Sequence, residues 1–141
     1  MSCEPTQANL IEQRINYIAR HEPTVKAFVD ETFDGDRVLD AIALSDERLP
    51  LYGLLLGVKD IINVDQFPPR CGTVLPSHLL DGQQASCVTR LLKAGAVMVG
   101  KTVTAEFAVS DPGPTRNPRN LNHTPGGSSS GSAAAVAAGF C

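Results

Sequence analysis

No run in this sequence approaches the roughly 20 consecutive apolar residues that cross a bilayer, so no membrane span is expected. The opening "MSCEPTQANLIEQRINYIAR" lacks a charged segment followed by an apolar stretch. No signal peptide is therefore expected, and the two absences together point to a soluble, cytoplasmic protein. There is no excess of positive charge: 12 basic residues stand against 15 acidic ones, for a net charge of −3. That balance gives no electrostatic reason to expect nucleic acid or an anionic membrane as a partner. The cysteines Cys3, Cys71, Cys87 and Cys141 form no C-x-x-C pair. A disulfide framework and a zinc site are both unexpected, and reduced thiols fit better. His21, His78 and His123 are equally isolated and make no metal-ligand pattern.

What is present suits one domain with a modest core, in 141 residues of which 43% are apolar. Thr6 is placed to cap a helix from about Gln7, striped by Leu10, Ile11, Ile15 and Ile18 and ending before Pro23. "TVKAFVDE" reads as extended. A second helix is expected over Asp36 to Glu47, with Val38, Ala41, Ile42 and Leu49 inward, stopped by Pro50. Leu54 to Val58 and Ala96 to Val99 read as buried strands. Between them "ASCVTRLLKAG" reads as a helix with Gly95 as its stop. Helix alternating with strand is the rhythm of an α/β domain. From Ser110 to Ser132 the Pro- and Gly-rich "SDPGPTRNPRNLNHTPGGSSSGS" must be loop, and a loop of that length is most often functional. It leads into "AAAVAAG", a small-residue helix with no polar face for water, expected to be buried on all sides.

"GAVMVGKT", Gly95 to Thr102, satisfies the phosphate-loop pattern in full. That pattern works only as strand, turn and then helix N-terminus. Here a helix precedes the first glycine, the intervening residues favour strand, and Pro112 soon follows. A nucleotide site is the weaker reading. A core strand ending in a surface lysine and threonine is the stronger one.

Serines between glycines often make only a linker, and Ser130 or Ser132 reads equally as a helix cap. A hydroxyl that acts as a nucleophile or relay needs a base. His123 has no acidic orienter nearby. Lys59 stands at the C-terminal end of an expected buried strand, where open α/β sheets gather their sites. The bland alternative is a solvated Lys59 paired with Asp60. As a base it must lose its proton at least transiently, which burial favours.

"LYGLLLGVKDIINV", "LLKAGAVMVGKTVTAEFA", "GPTRNP" and "TPGGSSSGSAAAVAAG" follow one another in the order and approximate spacing of the amidase signature family. Over Leu51 to Gly139 the chain resembles that family, with Ser130 where glycine is commoner. The resemblance implies an α/β fold, a mixed sheet covered by helices, of which this chain is an N-terminal part. Two regions are expected, a helical one over 1–50 with which the resemblance is compatible, and an incomplete amidase signature domain over 51–141. The implied chemistry is cleavage or transfer of a carboxamide through a Ser–cis-Ser–Lys triad, with no cofactor and no metal. Lys59 would be the base and Ser128 the bridging serine, joined to Gly127 by a cis peptide bond. Gly126, Gly127 and Ser129 would support them, Ser129 by hydrogen bonding. The family's attacking serine lies further downstream. The chain alone is therefore expected to be inactive, and a fragment or truncated product. It is also expected to be poorly stable, because its last helix would lack the strands it should pack between. The implied partner is a small carboxamide, with no direct nucleic-acid or membrane contact. Amide transfer from glutamine, in a glutamyl-tRNA amidotransferase, is the alternative.

Overall fold

The computed structural model describes residues 7–109 and 112–141. Thr6, Cys3, Ser110 and Asp111 lie outside the described residues, and with them the expected cap of the first helix. Two helices come first, α1 (Gln7–Val25) and α2 (Gly35–Ala43). Strand β1 (Leu55–Lys59), helix α3 (Ser86–Lys93) and strand β2 (Val97–Thr102) follow, then α4 (Ser130–Ala137). The strands pair in parallel, with Lys59 opposite Thr102 and Val58 opposite Lys101. An antiparallel bridge from Phe28 to Thr102 makes the arrangement mixed. Parallel strands need a crossover between them, and α3 supplies it.

α1 runs through Pro23 instead of ending before it. The stripe Ile11, Ile15, Ile18 continues to the buried Val25, so packing outweighs the hydrogen-bond donor that proline lacks. The chain then leaves through Lys26 at φ 53, and Glu22 accepts from Phe28 N at 2.7 Å and Ala27 N at 3.1 Å. α2 begins earlier than expected, because Asp34 caps it by accepting from Arg37 N at 3.2 Å. It also stops four residues short of Glu47. The Asp46 carboxylate accepts from both the backbone N and the side chain of Arg48, a local alternative to helix. Val38 and Ile42 face inward, whereas Ala41 is exposed.

β2 carries the largest departure. It extends to Thr102, and all six of its residues are buried. Lys101 is therefore not a surface lysine; it is 0% exposed and paired with Asp60. Gly95 at φ 102 ends α3, and the phosphate-loop pattern becomes core strand, followed among the described residues by only a short 3-10 turn, Glu106–Ala108, before α4. The outer edge of β2 is occupied too, since Arg37 donates to the carbonyls of Met98 (3.1 Å) and Val99 (2.9 Å).

α4 buries one face, Ser130, Gly131, Ala134 and Ala135, and leaves Ala133, Val136 and Ala137 exposed. The expectation of burial on all sides thus holds for half of it. The buried face joins α1, α2 and β2 in one hydrophobic cluster that includes Ile18, Phe28, Val38, Val99, Ala134 and Phe140. Gly131 makes the close approach possible: a Cβ there would run into the Ala27 carbonyl oxygen and the Val103 nitrogen.

Candidate functional site

The site forms where β1 ends and α4 begins. Strand alternation sends Val58 and Asp60 into the interior and leaves Lys59 between them on the other face, half-buried. From the opposite side, the segment before α4 is anchored to the chain that leaves β2. Ala105 N donates to the Ser128 carbonyl (2.9 Å), and Gly131 N to the Val103 carbonyl (3.0 Å). Thr102 Oγ1 and Ser132 Oγ share a hydrogen bond of 2.6 Å. These bonds tie the serine loop to the same strand pair that carries Lys59.

The Gly127–Ser128 peptide bond is cis. Lys59 Nζ lies 2.7 Å from Ser128 Oγ. As an ammonium, Lys59 donates to the hydroxyl oxygen; as an amine, it accepts the hydroxyl proton across the same contact. One short bond therefore serves both directions of a proton transfer.

Gly126, at φ 88, and Gly127 have no atom within 4 Å of where a Cβ would stand. Their freedom serves the turn, and the close backbone approach lies at Gly131 instead. Ser129 stands at the α4 N-cap, exposed, and its carbonyl accepts from Ala133 N at 3.0 Å. Its hydroxyl makes no capping bond and reaches neither Lys59 nor Ser128, so the expected hydrogen-bonding support is not formed. Ser130 is the buried hydroxyl, 3.4 Å from the Val103 carbonyl. His123 is exposed.

The pairing of Lys59 with Asp60 does not occur. Asp60 is 1% exposed and turns inward, its Oδ1 standing 2.8 Å from Lys101 Nζ. The contact is close but outside hydrogen-bond angles, and neither atom has another partner among the described residues. Asp60 Oδ2 accepts from Arg70 N at 3.1 Å. The Asp60 backbone donates to the Thr102 carbonyl (3.0 Å) and accepts from Cys71 N (3.2 Å). Burial pushes the Cys71 thiol up, and the Asp60 charge adds to it while Lys101 opposes it. Sequence reasoning missed the buried pair. The available signal was a lysine inside a strand otherwise apolar, which demands an acidic partner. Among the described residues no group of three or more His, Cys, Asp and Glu is placed to hold a metal ion, and no helix is long and apolar enough to cross a membrane.

A family model described as Amidase matches residues 9–141. A glutamyl-tRNA(Gln) amidotransferase subunit of Synechococcus sp. (strain RCC307) is 40% identical over 141 residues, covering 92% of this chain and 29% of that protein. Among solved structures, the corresponding amidotransferase subunit of Thermotoga maritima superposes with a TM-score of 0.77 at 31% identity, over 95% of this chain and 29% of that one. The native peptide amidase of Stenotrophomonas maltophilia superposes with a TM-score of 0.76 at 31% identity, over 98% and 32%. The chain spans between 29% and 32% of the length of these relatives.

Proposed function

The chain belongs to the amidase family, and from that premise we propose that it supplies the proton-relay half of a site that cleaves or transfers carboxamides. The observation that carries this reading is the 2.7 Å contact between Lys59 Nζ and Ser128 Oγ. A hydroxyl is a weak nucleophile until a base takes its proton. In the proposed cycle an attacking serine, outside these 141 residues, gives its proton to Ser128 Oγ while Ser128 passes its own to the neutral Lys59 amine. The serine oxygen bonds to the carboxamide carbon, and the tetrahedral intermediate collapses with loss of ammonia or an amine. That leaving group takes the proton back along the same path. Water then attacks the acyl-enzyme by the same relay, or an acceptor amine does so in amide transfer. Lys59 and Ser128 are the catalytic residues of this reading. Gly126 and Gly127 shape the turn that presents Ser128, and Ser129 borders it.

The reading needs no metal and no organic cofactor. It takes a small carboxamide as substrate, in the cytoplasm, without direct contact to nucleic acid or membrane. A nucleotide-binding reading through Gly95–Thr102 finds no support, because Lys101 faces Asp60 in the interior. Amide transfer is the second reading, favoured by the similarity to the glutamyl-tRNA(Gln) amidotransferase protein of Synechococcus.

Ammonia release tests the proposal. The purified 141-residue chain is expected to release none from simple carboxamides. A chimera of this chain with the remaining two thirds of a peptide amidase is expected to release it. Serine-dependent release by the chain alone, or a folded but inactive chimera, would contradict the proposal. Glutamine set against peptide amides as substrates separates the two readings.

A further inference from the structure

The buried pair of Lys101 and Asp60 has no step in the proton path, yet it adjoins it. Asp60 directly follows Lys59 in the chain, and Lys101 stands opposite Val58 in the strand register. Lys101 is 0% exposed and Asp60 1%. Replacing a buried ion pair by apolar groups is often neutral or stabilising, so stability alone gives no reason for this one. A carboxylate adjacent in sequence is the nearest counter-ion a lysine has, and attraction is stronger in a partly dry site than in water. An ammonium held by a carboxylate keeps its proton and is lost as a base. Here Asp60 faces other groups, with Oδ1 2.8 Å from Lys101 Nζ as an ion pair and Oδ2 accepting from Arg70 N at 3.1 Å.

Resting on the relay reading, we propose that Lys101 is a positioning residue that sequesters the Asp60 carboxylate, leaving the Lys59 amine to Ser128 instead of to its own neighbour. Lys101 touches neither substrate nor relay; it acts through Asp60.

Competitive acetylation of the 141-residue chain at pH 8, read by peptide mass spectrometry, tests this. Acetic anhydride attacks only uncharged amines, and the exposed Lys93 serves as internal reference. In Lys101→Met the Asp60 charge is no longer offset by the Lys101 ammonium, so it holds the proton of its chain neighbour more tightly, and the Lys59 rate relative to Lys93 falls about tenfold, corresponding to roughly 1.4 kcal/mol of extra hold on that proton. In the double variant Asp60→Asn/Lys101→Met there is no carboxylate to sequester, and the Lys59 rate returns to within about twofold of the parent. Lys101→Arg, which keeps the charge, stays near the parent. A folded Lys101→Met with an unchanged Lys59 rate overturns the proposal, as does an equal fall in the double variant. Where Lys101→Met fails to fold by circular dichroism, Lys101→Gln is read in its place, a fall in the Lys59 rate supporting the proposal and an unchanged rate overturning it. Ser128→Ala run in parallel separates the two levels. If it leaves the Lys59 rate unmoved, the relay reading fails and takes this inference with it. If it moves that rate and Lys101→Met does not, only this inference fails.

Discussion

Adding one methyl group at Gly131 should destabilise the whole chain. In Gly131→Ala the new Cβ points into two backbone atoms, the Ala27 oxygen and the Val103 nitrogen, with the Thr102 carbonyl carbon 3.0 Å away. None of these is the free end of a flexible side chain. Relief requires α4 to move off the segments at Ala27 and Val103, and both are held by backbone bonds. Val103 N donates to the Ala27 carbonyl at 2.9 Å, and Gly131 N to the Val103 carbonyl at 3.0 Å. Overpacking alone costs about 1–3 kcal/mol. Weakening two buried backbone hydrogen bonds adds roughly 1 kcal/mol each. The expected total is ~3–5 kcal/mol, enough at this size to lower Tm by more than about 10 °C. Thermal unfolding followed by circular dichroism at 222 nm reads it directly. The displacement also pulls Ser128 from Lys59, since the serine loop continues directly into α4. A Gly131→Ala chain within about 1 kcal/mol of the parent would refute the reasoning, because the backbone approach would then not be what seats α4.

Burial pushes the Glu22 carboxyl up from 4.5 to about 7, against the Phe28 and Ala27 amides, which favour its charge, and with a smaller push from Asp30. A folded value above the unfolded one means the folded chain holds this proton more tightly. Glu22's contribution is therefore full below pH 4.5 and is lost as pH rises through about 7. Partial exposure reduces it to roughly 1–2 kcal/mol, and urea melts between pH 5 and 7.5 should show a decline that Glu22→Gln flattens. Asp34→Ala removes the acceptor for Arg37 N and should cost about 1 kcal/mol by the same assay, with Asp34→Ser nearly neutral.

The elements with a single strong local signal were legible in the sequence. Apolar runs marked both strands, and Gly95 marked the end of α3, with a positive φ in the structure. The amidase resemblance led to Lys59 and Ser128, side chains that the fold brings within 2.7 Å. Features settled by distant contacts were not legible. Whether α1 passes Pro23 depends on where Val25 finds a core. The end of α2 depends on competition between a helical turn and the Asp46–Arg48 bond. Lys101 looked like a surface residue because a charged side chain normally ends a buried strand, and its partner stands just past the end of the neighbouring strand. Ser129 was expected in the network from the family resemblance, but it stands exposed at the α4 N-cap, while Ser130 is buried.

The central claim is that a proton crosses between Lys59 and Ser128, and the kcat of the chimera described above tests it most directly. Lys59→Ala and Ser128→Ala should each lower kcat by about 10²–10⁴-fold with KM little changed, the range for loss of general acid–base chemistry. Each variant must first keep the parent's thermal stability to within a few degrees. A folded Lys59→Ala chimera that hydrolyses carboxamides at near the parent's kcat would contradict the account.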